Sequence, residues 1–299
     1  MKFWLVLMGV SELEQLPELA RCAEECGFHG ATYADHLVMP TKISSKYPYT
    51  ADGEVFWPVE TPWPDPWITL SVMAAATTSL RFVTNIYLAA LRDPFTAARA
   101  ISTAAVFSND RMVCGLSAGW LKEEYDAVGV DFASRGRRLD EMIAVMRKLW
   151  TGEIVSHAGE MFNFEDVIMR PAPKKPIPIW SGGTAKPALR RAALNDGWLG
   201  IPMTLDQTLE IVGQMQQMRA DAGLPQEGFD PCISLAGKLD AEAIGRLGEA
   251  RIDHISAMPW MPTPWDVARY VDEGADTASL EVKKSAIRRY ADAVIHKYR

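Results

Sequence analysis

No apolar run in the 299-residue chain approaches the ~18 residues that a membrane-crossing helix needs. Positive charge is not in excess either. Lys and Arg total 31 against 38 Asp and Glu, a formal net charge of −7. Such a chain lacks the electrostatic footprint of a nucleic-acid binder. Four cysteines are too few and too scattered for a disulfide framework. Cys22 and Cys26 lie four apart in a helical pattern and read as small apolar residues on one face. No further ligand stands close enough to complete a zinc site. The stretch from Met1 to Val10 imitates a signal peptide only faintly, because Glu12 and Glu14 interrupt it and no cleavage site follows. It reads as the buried first strand of a reduced, cytoplasmic protein.

Chemical signatures are missing as well. The chain has no G-x-G-x-x-G, no Walker A loop, no H-E-x-x-H and no G-x-S-x-G. Its five histidines (His29, His36, His157, His254, His296) show no metal-pair spacing, so no metal is expected. With no triad, metal or acid pair in view, the chemistry is expected to arrive with a cofactor.

What the chain does have is rhythm. Short apolar runs alternate with amphipathic stretches: Phe3–Met8, Gly30–Ala34, Arg81–Leu88, Arg111–Leu116, Ile177–Ser181, Gly197–Ile201, Cys232–Ala236 and His254–Met258. The runs are mostly continuous, as parallel strands covered on both faces require. Helix starts are legible between them. Ser11 with Glu14 and Thr204 with Gln207 fit capping boxes, while Asp65-Pro66, Asp93-Pro94 and Thr263-Pro264 place a capping oxygen before a first-turn proline. Leu139, Met142, Ile143, Met146, Leu149 and Trp150 form the clearest helical stripe. About eight β–α units in strict alternation predict a (β/α)8 barrel, an α/β fold, rather than a doubly wound sheet. With no linker and no second hydrophobic centre, residues 1–299 read as one domain.

Two segments break the rhythm. Residues 36–64 form a long connection after the second strand, rich in proline and carrying Tyr47, Tyr49, Phe56, Trp57 and Trp63. A loop of that length is usually functional or disordered, and its aromatics argue against disorder. Residues 153–170 read as a β-hairpin around Ala158-Gly159, inserted before the fifth strand of the barrel.

A barrel does its chemistry where the strands end and the βα loops converge. That rule selects Asp35-His36 after the second strand, Thr84 to Tyr87 after the third and Ser117 to Trp120 after the fourth. After the fifth it selects Ser181-Gly182-Gly183-Thr184, where a glycine pair opens a helix. Backbone N–H groups there can approach a ligand, and a helix N-terminus favours an anion, so the segment reads as a phosphate site or as a plain tight turn.

At these positions the chain resembles the luciferase-like monooxygenase superfamily, most closely its coenzyme F420-dependent oxidoreductases. The resemblance rests on Ala34-Asp35-His36-Leu37-Val38, Thr84-Asn85-Ile86, Leu91-Arg92-Asp93-Pro94 and the long run from Gly115 to Tyr125. It continues through Arg135-Gly136-Arg137-Arg138-Leu139-Asp140-Glu141, Pro178 to Gly183 and Asp196-Gly197-Trp198, covering about residues 3 to 200. It implies a flavin or deazaflavin at the barrel mouth, leaning on a bulge near Asn85–Ile86 that is often made by a non-prolyl cis peptide. Asp35, Asn85 and Ile86 would then lie near the ring, the backbone of Ala118 and Gly119 along its edge, and Ser181, Gly182, Gly183 and Thr184 at its side-chain phosphate. His36 falls where relatives place a histidine facing the substrate, although a histidine there could equally cap the loop. Some deazaflavin-dependent relatives carry an acid where Trp120 stands, so their substrate and proton route do not transfer. Trp57, Trp63 and Trp120 are expected to shape an apolar substrate pocket. Arg135, Arg137 and Arg138 read as a structural ion-pair network with Asp140 and Glu141.

The leading expectation is an F420-dependent oxidoreductase that transfers a hydride to or from a small, partly apolar substrate. The alternatives are an FMN-dependent monooxygenase that activates oxygen, and a non-catalytic cofactor-binding protein. The resemblance also implies a homodimer.

Overall fold

A computed structural model of the chain describes residues 1–261 and 270–299. Eight parallel strands close into a barrel: β1 (Lys2–Val6), β2 (Gly30–Tyr33), β3 (Arg81–Thr84), β4 (Met112–Leu116), β7 (Ile179–Gly182), β8 (Gly197–Met203), β9 (Asp230–Leu235) and β10 (His254–Ala257). The last strand pairs with the first, so the barrel has no open edge. Each predicted run contains a strand, with ends displaced by a few residues. The hairpin lies where it was expected: β5 (Val155–Ala158) pairs antiparallel with β6 (Asn163–Val167) ahead of the fifth barrel strand. Among the described residues no helix is long and apolar enough to cross a membrane.

Side-chain capping sets several helix starts. Asp65 accepts from the N–H groups of Trp67 and Ile68 at the start of α2 (Pro66–Ala75), and Asp93 accepts from Thr96 at the start of α3 (Pro94–Phe107). Thr204 and Gln207 form a reciprocal capping box on α7 (Leu205–Asp221). Ser11 and Glu14 do not. A short 3-10 turn spans Leu13–Gln15, and α1 (Leu16–Glu25) starts only afterwards, with Pro17 in its first turn. Glu12 is drawn instead to the buried Lys283 of α9 (Leu280–Tyr290), 2.6 Å away. The expected start at Thr263-Pro264 lies outside the described residues.

The predicted stripe of α5 (Arg135–Leu149) is buried throughout. The arginines at its start are structural, but not through Asp140 and Glu141. Arg135 donates to the carbonyls of Gly119 and Phe132, and Arg138 donates to those of Ala90 and Arg92. Arg137 pairs with Glu160. Asp140 takes Arg191, and Glu141 accepts from the N–H groups of Met161 and Phe162 to hold the hairpin.

Two features carry the mouth of the barrel. The first is a bulge. After Thr84 the chain leaves the β3 ladder through a cis Asn85–Ile86 peptide, then pairs again at Tyr87 with Leu116. Gly115 permits this, since a Cβ there would lie 1.9 Å from the Thr84 carbonyl oxygen. The Thr84 hydroxyl closes the gap by bonding both the N–H and the carbonyl of Gly115. The second feature is a clamp. Asp35, at the end of β2, takes both terminal nitrogens of Arg92 at 2.7 and 2.9 Å and the Leu88 N–H at 3.0 Å. Its side chain and that of Arg92 are only 2% and 11% exposed.

The long loop is pinned by neighbouring carboxylates on α4 (Lys122–Ala127). Glu124 accepts from the N–H groups of Leu37 and Val38, at the root of the loop. Glu123 accepts from the N–H groups of Ser44 and Ser45 and from the Ser45 hydroxyl. Desolvation opposes ionisation of Glu123, yet these Ser45 and Ser44 donors hold its carboxyl down at about 2.

At the opposite end the barrel is plugged by rings. Trp4 and Trp180 pack edge to face, and the Trp4 indole N–H donates to His254 Nδ1 at 2.9 Å. Burial, reinforced by Lys2, pushes His254 down to about 3, and burial with Arg81 pushes His29 to about 4. Both values fall below the ordinary ~6.5, so the unfolded chain binds the extra protons. Their contribution to stability is complete above about pH 6.5 and is lost as pH falls through that window. The urea midpoint should therefore drop between pH 6.5 and 4, and less steeply in His254→Gln; equal slopes would contradict the assignment. Arg92→Met strands the Asp35 carboxylate, so chemical denaturation at pH 7 should show a loss of about 3–5 kcal/mol.

Candidate functional site

A cavity of about 220 Å³ opens at the C-terminal ends of the strands. Val6, Ile86, Leu199 and Ile201 give it apolar walls, and the long loop roofs it with Tyr47, Tyr49, Phe56, Trp57 and Trp63. Of the residues singled out in the sequence, Asp35, His36, Asn85, Ile86, Gly183, Trp57, Trp63 and Trp120 all line this one space.

His36 is the best-prepared of them. Its Nδ1 lies 3.2 Å from Glu124 Oε2, and both side chains are buried. A carboxylate there accepts the Nδ1 proton and fixes the ring, leaving Nε2 to face a ligand. Nε2 takes no partner among the described residues. Three tryptophans surround the imidazole, with ring centroids at 4.8 Å (Trp63), 5.9 Å (Trp57) and 6.4 Å (Trp120). The cluster leaves the imidazole only 8% exposed.

Asp35 lines the cavity, but its carboxylate oxygens are committed to Arg92 and Leu88, so it frames the space rather than offering a free acceptor. Asn85 differs: its side-chain amide has no hydrogen bond among the described residues and is available to a ligand. Ala118 and Gly119 lie outside the lining. Their carbonyls are held by the Tyr125 hydroxyl and by Arg135, which shapes the turn that delivers Ser117 and Trp120. Ser181, Gly182 and Thr184 are likewise not in the lining. Gly182 has a packing role, since a Cβ there would lie 1.8 Å from Ile86 Cδ1, so the end of β7 abuts the bulge.

Gly183 is in the lining, with φ at +103°, a backbone region that favours glycine. A Cβ there would enter the gap between Ala188, 3.1 Å away, and the Tyr49 hydroxyl, 3.7 Å away. The Trp198 indole N–H holds its carbonyl at 3.0 Å. The helix that follows, α6 (Lys186–Ala193), has no side-chain cap, and the N–H groups of Gly183, Thr184 and Ala185 take no partner among the described residues.

Sequence reasoning missed Glu124, which it read only as part of a motif. It also missed Pro202, Ser234 and Ser256, although the strand-end rule extends to β8, β9 and β10 and would have found them. Tyr49 was noted as a loop aromatic without a position in the site.

Comparison with known proteins agrees with this architecture. The luciferase-like monooxygenase family model matches residues 1–251, further than the motifs in the sequence reached. An uncharacterized protein of Mycobacterium tuberculosis is 32% identical over 282 residues, covering 93% of this chain and 94% of that one. Among solved structures, a monooxygenase from Streptomyces bottropensis superposes with a TM-score of 0.75 at 17% identity, over the full length of both chains. The coenzyme F420-dependent tetrahydromethanopterin reductase of Methanopyrus kandleri gives 0.72 at 14% identity, covering 100% of this chain and 99% of that one. These two likenesses concern the fold, while the family match covers most of the sequence: the chain belongs to the luciferase-like monooxygenase family, whose members are oxidoreductases.

Proposed function

We propose that this protein is an F420-dependent oxidoreductase acting on a small, partly apolar alcohol, carbonyl compound or activated alkene. The observation that carries the reading is the buried His36–Glu124 pair, with Nε2 left free in an aromatic cavity. Reduction of a carbonyl by hydride needs a proton at the oxygen, and oxidation of an alcohol needs that proton removed. His36 Nε2 is placed to exchange it.

The residues present fit a flavin-type ring with a phosphate on its side chain. Val6, Ile86 and Leu199 supply apolar surface, and Asn85 supplies an amide with no hydrogen bond among the described residues. The gap at Gly183 is one that a Cβ would fill, and the N–H groups of Gly183, Thr184 and Ala185, at and just after it in the chain, take no partner among the described residues. When bound, a deazaflavin supplies a carbon that gives or takes a hydride. The chain's own tasks are to hold Nδ1 of His36 against Glu124, to keep Nε2 dry beneath Trp57 and Trp63, and to bind an anion without a basic side chain. That last task suits a chain with a net charge of −7. A homodimer, as the resemblance implies, belongs to the same proposal.

Three experiments test it. Titration with F420 and with FMN, followed by the visible spectrum, should show tight binding of the deazaflavin; tight FMN binding with no affinity for F420 would favour the monooxygenase reading instead. Gly183→Val should weaken binding of a phosphorylated cofactor by at least about tenfold, because it fills the gap and forces φ. His36→Asn should lower the rate of hydride transfer by about 10²–10⁴-fold while cofactor affinity stays within a few-fold. An unchanged rate would return His36 to a structural role.

A further inference from the structure

Tyr49 belongs to the long loop, 134 positions before Gly183, yet its hydroxyl lies 3.7 Å from where a Gly183 Cβ would stand. The hydroxyl takes no hydrogen bond among the described residues, although most of the side chain is covered. Burial raises its pKa, so at neutral pH it keeps its proton and can donate. The N–H groups of Gly183, Thr184 and Ala185, at and just after this point in the chain, are also donors without a partner among the described residues. The long loop and the start of α6 thus both bring donors to this part of the mouth. Such a set suits an anion.

The loop also carries this point toward the chemistry. Tyr49 packs edge to face on Tyr47 at 5.3 Å, and Tyr47 packs on both Trp57 and Trp120 at 5.2 Å. Trp57 and Trp120 in turn border His36. A group that fixes Tyr49 therefore fixes the wall around the imidazole.

The geometry points to Tyr49 as a cofactor-binding residue that donates from its hydroxyl to the side-chain phosphate of the flavin or deazaflavin, so that the bound phosphate fastens the long loop over the substrate cavity. This rests on the phosphate reading of Gly183–Ala185 given above. It deepens that reading by making closure of the substrate wall depend on prior occupancy by the phosphate.

The test compares ligands that differ in the phosphate. FMN and riboflavin form one pair, F420 and its deazariboflavin fragment without the phosphate the other. Dissociation constants from fluorescence titration are measured for the wild type, Tyr49→Phe and Tyr47→Phe. The wild type should bind the phosphorylated member of whichever pair it accepts more tightly. Tyr49→Phe should shrink that ratio about tenfold, the value of a hydrogen bond to a charged group, with the dephosphorylated ligand unaffected. Tyr47→Phe should leave the ratio intact. Hydrogen exchange supplies a second readout: the phosphorylated ligand should slow exchange across residues 44–60 in the wild type and not in Tyr49→Phe. A wild type that discriminates, with the same ratio and the same loop protection in Tyr49→Phe, overturns the role of Tyr49 and leaves the phosphate site standing. A wild type that binds both members of each pair equally removes the phosphate site itself, and this inference with it.

Discussion

The mouth of this barrel depends on one buried ion pair. Asp35 closes β2, Arg92 lies beyond the β3 bulge, and their bidentate contact joins the two strand ends where the site is built. Taking both charges out of water is costly, and geometry of this quality with further hydrogen bonds is what repays it. The Leu88 N–H supplies one such bond to Asp35, and the Leu88 carbonyl supplies another to Arg92. Arg138 grips the Arg92 carbonyl from α5, so the clamp reaches into the outer helical layer. His36 follows Asp35 directly in the chain, and its backbone position is set by the clamp before Glu124 orients its ring.

Around that clamp the protein separates rigid parts from adjustable ones. The bulge at Asn85–Ile86, the glycine at 115 and the abutment of Gly182 on Ile86 form a surface built from backbone and small residues. The roof is made of large rings from a single loop, packed edge to face on one another. Aromatic rings supply much apolar area with few rotatable bonds, which allows a loop without regular secondary structure to present a defined wall.

The fold was legible because the barrel writes its period into the sequence. Continuous apolar runs marked the strands, and caps such as Asp65, Asp93 and Thr204 marked helix starts through contacts spanning two or three residues. Local signals fail where a distant group competes. Glu12, beside Ser11, answers to Lys283, 271 positions away, and a 3-10 turn stands where the capping box of Ser11 and Glu14 was expected. The same holds at the site. The strand-end rule and the family resemblance found His36, Asn85 and Gly183, but the partner of His36 lies 88 positions away, and no spacing rule reports that. Asp35 shows the converse: its place at the mouth was readable, while the commitment of its oxygens to Arg92 was not. The arginines at the start of α5 were read as structural, yet Arg135 and Arg138 turn to backbone carbonyls, which carry no sequence signature, and Arg137 turns to Glu160 of the hairpin.

The two carboxylates of α4 have a consequence for how such an enzyme changes over generations. Glu124 and Glu123 fasten the loop as far as Ser45, and the Asp65 cap fixes the chain where α2 begins. The residues between are therefore suspended from two independent moorings. That stretch can be lengthened, shortened or replaced as a cassette while His36 stays on its own foundation. Selection can rewrite the aromatic roof without rebuilding the His36–Glu124 pair beneath it.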